Sequence, residues 1–470
     1  MAQSGAMAEP ATPAALRYPP QVKYIVGNEA CERFSFYGMR SILVVYMTGY
    51  LLYPDTEAKA WYHAFMMVTY LTPLVGGWLA DRFFGRYPVI LWVSLFYVAG
   101  HATLALWDGR TGFLVGLGLI ACGSGGIKPC VSAFVGDQFR PAQKLLLERV
   151  YGWFYWVINL GSFSAKLLIP WLLRTRGPRV AFAVPGVLMA LAALVFWAGT
   201  RHYVRAPPSG PKPHGFLRVV GAALRRAGTH RAGEHWLDAA RAHHPAEAVE
   251  GAKAVLRVVG VFAAVTVFWA LFDQTGSSWV LQGRRLAALP ALDLSGLGLG
   301  SLSVDAAQLQ ALNPVLVMAL IPLFSWGVFP ALERRGLDLS PLRKMTAGMF
   351  LAVSSFVAAG VVQYLVDAGR APSLAWQAPQ YLLLTTAEVL VSVTGLEFSY
   401  TQAPRSMRST IMSIWFLTVF LGNLLTFLVQ FVKLSGAAYF AFFAALMLAA
   451  ALAFRQVARR YRPAPPGAAG

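Results

Sequence analysis

In GNEACERFSFYGMRSILVVY, Gly27 to Tyr46, the ionisable residues Glu29, Glu32, Arg33 and Arg40 fall within twelve positions of an otherwise apolar run. At 3.6 residues per turn, Glu29, Arg33, Phe36, Tyr37 and Arg40 form one helical stripe, with Glu32 on its edge. Acids and bases on one face can pair with each other, hold a proton or grip an ionic ligand. In a bilayer such a stripe must turn inward, because an ionisable residue at mid-membrane costs about 2.5 to 3.5 kcal/mol on insertion scales. A second cation, Lys128, lies in GSGGIKPCVSAFVGDQF, Gly123 to Phe139. Gly123, Gly125 and Gly126 let a neighbouring helix approach closely. With Pro129 they favour an enclosed Lys128 that needs a carboxylate over one that snorkels to headgroups. Asp273, Glu388 and Glu397 are the candidate partners, and Glu397 lies near a span end, where hydration explains it equally well. His63 shares a helical face with Tyr70, and its titration range suits it to accept a proton.

These residues need a membrane frame to position them, and the composition supplies one. The chain is 57% hydrophobic and 13% charged, against roughly 45 to 50% and 25% in soluble domains. Runs of about 20 apolar residues predict spans near 24 to 52, 61 to 82, 88 to 107, 112 to 135, 150 to 173 and 180 to 200. The second six lie near 254 to 281, 308 to 332, 343 to 366, 377 to 401, 409 to 432 and 436 to 457. The expected fold is therefore an all-α membrane protein of twelve transmembrane helices in two six-helix bundles, 21–200 and 254–458. Tails 1–20, read as disordered, and 459–470 flank the bundles. Lys and Arg concentrate in the loops on the side of the termini, so both termini are expected in the cytoplasm. The net charge of +19 is thereby assigned to topology and not to nucleic acid. The linker 201–253 is too polar for further spans, and FLRVVGAALRRAG, Phe216 to Gly228, reads as a basic amphipathic helix within it. Cys31, Cys122 and Cys130 lie inside apolar runs and offer neither a disulfide framework nor a metal spacing.

Six spans, a basic middle loop and six more is a plan similar to that of the major facilitator transporters, built from repeats with the site between them. GWLADRFFGRY, Gly77 to Tyr87, resembles that superfamily's loop signature, with Asp81, Arg82, Gly85 and Arg86 in order. NEACERFSFYGMR, GSGGIKPCVSAFVGDQF, VFWALFDQTGSSWVLQ and EVLVSVTGLEFSYTQAP together resemble the signature segments of the proton-coupled oligopeptide transporter family, in wording close to its animal members.

That resemblance implies symport of di- and tripeptides with protons by rocking of two halves about a central cavity. It implies no cofactor beyond the coupling proton, no partner beyond peptide and lipid, and function as a monomer in a bacterial inner membrane. Residue by residue, Glu29, Glu32 and Arg33 match the proton-coupling ExxER motif, and His63 the second-helix histidine of the animal proteins. Lys128 and Glu388 match an inner-gate pair, and Arg40 and Asp273 an outer-gate pair. Peptide recognition would fall to Arg40 and Lys128 at the carboxylate and to Asn159, Asn313 and Glu388 at the amine and backbone. Tyr37, Tyr70, Trp269 and Trp415 would form the pocket walls.

Four features depart from the pattern. Phe36 replaces a second tyrosine, and Arg257 faces Ser325 where an acidic partner is usual. The segment Asp367 to Gln377 is too short for an extracellular domain, and the linker lacks two additional helices. Rival readings are a carrier of another small anionic or amino-acid-like cargo and a peptide sensor that does not transport. An enzyme is disfavoured, because the chain has neither HExxH nor GxSxG.

Overall fold

The structure is a computed structural model, and it describes residues 17–226, 234–293, 301–402, 407–432 and 434–461. The predicted tails therefore lie largely outside the described residues, as does the end of the predicted linker helix at Gly228. The first bundle contains α1 (Val22–Gly49), α2 (Asp55–Leu79), α3 (Arg86–Leu106), α4 (Arg110–Asp137), α5 (Lys144–Arg176) and α6 (Pro178–Ala198). A linker helix α7 (Phe216–Arg225) follows. The second bundle begins with α8 (Ala246–Phe272), which continues through a tight turn at Asp273–Gly276 into α9 (Ser278–Gly283). Next come α10 (Leu312–Pro322) and α11 (Phe329–Arg334), joined as one span, then α12 (Pro341–Asp367). The remaining spans are α13 (Gln377–Glu388) with α14 (Thr394–Gln402), α15 (Arg408–Val429) and α16 (Gly436–Arg460).

Among the described residues the helices make twelve spans, six in each half. Ten are long and apolar enough to cross a membrane by length and composition. The other two are α1, which carries the four-charge stripe, and α2, whose aromatic, small and polar residues lower its mean hydropathy. Two helices start about six residues before their predicted positions, α2 at Asp55 and α5 at Lys144, and α8 starts eight before, at Ala246. Their first turns, DTEAK and KLLLER, are charged, so hydropathy reads them as loop although they are helical.

Each half has its own apolar core. Phe36, Met39, Tyr97, Phe134 and Phe196 lie in the first, and Phe262, Trp279, Phe356 and Phe443 in the second. Large apolar side chains left exposed, such as Trp78, Trp92, Phe96, Trp197 and Trp326, form the outer surface that a bilayer would cover. Glycines set the tightest helix contact in the first half. A Cβ on Gly76 would stand 2.6 Å from the Gly125 carbonyl oxygen and 2.7 Å from the Gly126 Cα, so α2 and α4 meet backbone to backbone. Between the halves, α2 packs on α15 and α5 on α10.

The linker helix is docked and not free. Val219 and Ala223 of α7 are buried with Leu237 and Ala240 of the following short helical segment and with Val249 and Ala252 at the start of α8. Its apolar face is thus spent on protein, and only Leu217 and Leu224 protrude. The loop signature folds as a widened π-helical turn, Ala80–Phe84, ended by Gly85 at φ +78°. Arg86 donates to both carboxylate oxygens of Asp137 at 2.5 Å. Lys212 of the linker reaches Asp81 at 3.3 Å and Ser409 of α15 at 3.2 Å, tying the two halves together at the terminal end.

Candidate functional site

Along α1 the stripe points into the protein. Arg33 Nε donates to Glu29 Oε1 at 2.7 Å and lies 3.3 Å from Glu32 Oε2. Glu29 is 1% and Glu32 0% exposed, and Glu29 Oε2 and both Glu32 oxygens lack a hydrogen bond. One guanidinium therefore serves two buried carboxylates. Full charge on both is expensive in such surroundings, and a proton on one of them relieves it. Tyr97 of α3 stands beside Glu32.

Seven residues after Arg33, Arg40 joins the halves at the end remote from the termini. Its Nη2 donates to Asp273 Oδ1 at 2.6 Å and its Nε to the Tyr62 hydroxyl at 2.6 Å. The other Asp273 oxygen accepts from Asn423 Nδ2 of α15 at 2.7 Å. Because that amide nitrogen is committed to Asp273, the Asn423 oxygen faces His63 Nδ1, 2.8 Å away, and must accept from it. His63 Nε2 then accepts from the Ser277 hydroxyl at 3.0 Å in the neutral ring. The histidine is fully buried and hydrogen-bonded at both nitrogens, and it reaches the Arg40–Asp273 pair through Asn423. Further contacts across the same end run from Arg284 to Thr48 at 2.6 Å, Arg285 to Asp55 at 2.7 Å and Arg174 to Asp305 at 3.3 Å.

In the centre the charges stand apart. Lys128 Nζ lies 4.1 Å from the Phe36 ring centroid and 4.5 Å from that of Tyr70, with no hydrogen-bond partner. It is held by two aromatic faces, a cation–π arrangement, and does not snorkel. Glu388 accepts from Asn313 Nδ2 at 2.7 Å and makes no ion pair with Lys128. Glu388 is followed at once by a π-helical turn, Val389–Val393. Asn159 donates to the Tyr155 carbonyl of its own helix. Trp269 of α8 and Trp415 of α15 meet edge to face, centroids 6.0 Å apart, in the second half. Tyr37 stands on α1 between Arg33 and Arg40.

Glu397 lines a separate cavity of about 320 Å³ with Glu333 and Lys344, away from Lys128. Arg257 and Ser325 are both exposed, and no carboxylate pairs with Arg257 among the described residues. The sequence reading missed Tyr62, Ser277 and Asn423 as partners of the outer pair. A lone asparagine in an apolar span was the available signal. It also missed Lys166.

A model of the POT family matches residues 87–441. The chain belongs to the POT family. Peptide transporter 3 of Caenorhabditis elegans is 41% identical over 376 residues, covering 74% of this chain and 51% of that one. The chain thus spans about half the length of such relatives. Among solved structures, an auto-inhibited POT family peptide transporter superposes with TM-score 0.87 at 43% identity, covering 96% of this chain and 98% of its own. The POT family transporter PepTSo does so with TM-score 0.88 at 41% identity, covering 95% and 99%. These structures share the major facilitator fold, of which α1 to α6 and α8 to α16 form the two bundles.

Proposed function

We propose that the chain carries di- and tripeptides across a membrane together with protons, by alternating access between its two halves. The observation that carries this reading is the contrast between the two cross-half charge sets. Arg40 and Asp273 are paired and the outer end is shut, whereas Lys128 and Glu388 lie in opposite halves and are not paired with each other. A peptide carboxylate is a rival partner for Lys128 and Arg40, and its ammonium for Glu388 beside Asn313. Asn159 supplies polar contact to the peptide backbone, while Tyr37, Tyr70, Trp269 and Trp415 supply walls for its side chains.

The coupling proton resides on the acids, with Glu29, Glu32 and Arg33 as one unit and His63 wired to the outer pair. Protons are the coupling ion and no cofactor takes part. The excess of basic residues in the loops on the terminal side supports a cytoplasmic position for both termini. The short α12 to α13 connection leaves no room for an extracellular domain at that point, which supports a bacterial inner membrane.

The test is uptake of labelled dialanine by proteoliposomes, with and without an inward proton gradient, while internal pH is followed. Joint accumulation and acidification support symport. Binding without movement of either supports a sensor. Movement of small anions without dialanine assigns Lys128 and Arg40 to another cargo.

A further inference from the structure

A buried lysine on α5, in neither gate, stands against Tyr37, a wall residue of the proposed pocket. Lys166 is 9% exposed, and its Nζ lies 5.3 Å from the centroid of the Tyr37 ring. Among the described residues it has neither an ion pair nor a hydrogen bond. Its height is fixed by packing. Ala165 and Ile169, its neighbours on α5, close on Gly38 of α1, where a Cβ would stand 2.7 Å from Ile169 Cγ1. That contact holds Lys166 level with Tyr37. α5, which carries Lys166, packs on α10, and Asn313 of α10 donates to Glu388 at 2.7 Å, so one helix links the lysine and the acid.

The charge balance of the cavity says what an extra cation is for. Arg33 serves Glu29 and Glu32, and Arg40 is matched to Asp273. Lys128 and Lys166 remain with the single acid Glu388. With every group ionised the set is neutral. Once one acid carries the coupling proton, a single positive charge is in surplus, and a zwitterionic peptide does not remove it. An acidic side chain does, and a basic one doubles it.

We infer that Lys166 makes this a cavity selective for peptides with an acidic side chain, above all on the first residue, whose ammonium sits at Glu388. This rests on the peptide-transport reading. Burying a charge beside an unmatched one of opposite sign is favourable and beside a like one is not.

The test measures KM for Ala-Ala, Glu-Ala and Lys-Ala in proteoliposomes at one pH. Wild type should take Glu-Ala at a KM about tenfold to a hundredfold below that of Lys-Ala, the range for a charge pair several ångströms apart in partly hydrated surroundings. Lys166→Gln should bring the ratio to about 1, Lys166→Glu should invert it, and Lys166→Arg should keep it, which a folding defect cannot imitate. Equal KM values for Glu-Ala and Lys-Ala in wild type, or a ratio unchanged by Lys166→Gln, overturn the inference while leaving peptide transport intact. A Lys166→Gln effect equal on all three peptides assigns the lysine to gating with Glu388 and also overturns it. Absence of uptake for all three in wild type sinks the peptide-transport reading, and this one with it.

Discussion

Asp273→Asn should open the outer end of the protein. The Arg40–Asp273 pair is 2.6 Å long between side chains 9% and 2% exposed, so water screens it weakly. Replacing the carboxylate by a neutral amide leaves a buried guanidinium without its counter-charge, among neutral acceptors such as the Tyr62 hydroxyl. Removing one member of a buried pair typically costs about 3 to 5 kcal/mol. Only the closed arrangement bears that cost, since opening gives Arg40 to water. The closed-to-open ratio should therefore fall by roughly two to three and a half powers of ten. Spin labels at Leu52 and Trp376, both exposed and on opposite halves of that end, report the change as a distance distribution. Cys122 is exposed, so the background needs it replaced. Wild type should show one short distance and Asp273→Asn a longer, populated second one. The exchanged pair Arg40→Asp with Asp273→Arg should recover part of the short population through the restored pair, as a double-mutant cycle measures. An unchanged distribution in Asp273→Asn would refute the claim that this pair holds the end shut.

Lys128→Ala and Glu32→Gln should each abolish proton-driven dialanine accumulation while membrane insertion and monodisperse extraction survive; full concentrative uptake in either would sink the coupling scheme. Gly76→Val should lower the melting temperature in detergent sharply, because its Cβ alone meets the Gly125 carbonyl at 2.6 Å and overpacking costs about 1 to 3 kcal/mol or more; unchanged melting would show that α2 can move away. In the linker, burial pushes the Asp238 carboxyl up, but hydrogen bonds from Lys253 and Arg241 outweigh it and hold it below the usual carboxylate range. A lowered value in the docked state means that its contribution is complete above the unfolded value, about 3.9, and is lost as pH falls below it. Limited proteolysis of the linker should therefore be slow and flat from pH 7 to about pH 5 and faster below about 4, and Asp238→Asn should be cut faster even at pH 7. Equal cutting of both proteins at pH 7 would remove Asp238 from the docking.

What the sequence made legible is whatever a one-dimensional period carries. The α1 stripe follows from residue spacing alone, because a helix fixes which side chains share a face before anything packs on it. The spans follow from hydropathy, except where a charged first turn, as at Asp55 and Lys144, extends a helix past the apolar run. The illegible residues are those whose meaning comes from a second helix. Lys166 sits ten residues before the end of α5, and in one dimension it reads as a lysine free to snorkel. Only the closure of α5 on Gly38 fixes it beside Tyr37. Asn423 and Ser277 join the network around the Arg40–Asp273 pair only because α15 and the turn after α8 bring them to His63. The π-helical turn after Glu388, VLVSV, has no proline to announce it, yet α13 changes pitch directly after this acid. A family motif can therefore name Glu388 while Lys166, on a helix packed against α10, whose Asn313 holds that acid, lies in no motif, and selectivity in this chain is to be sought in that difference.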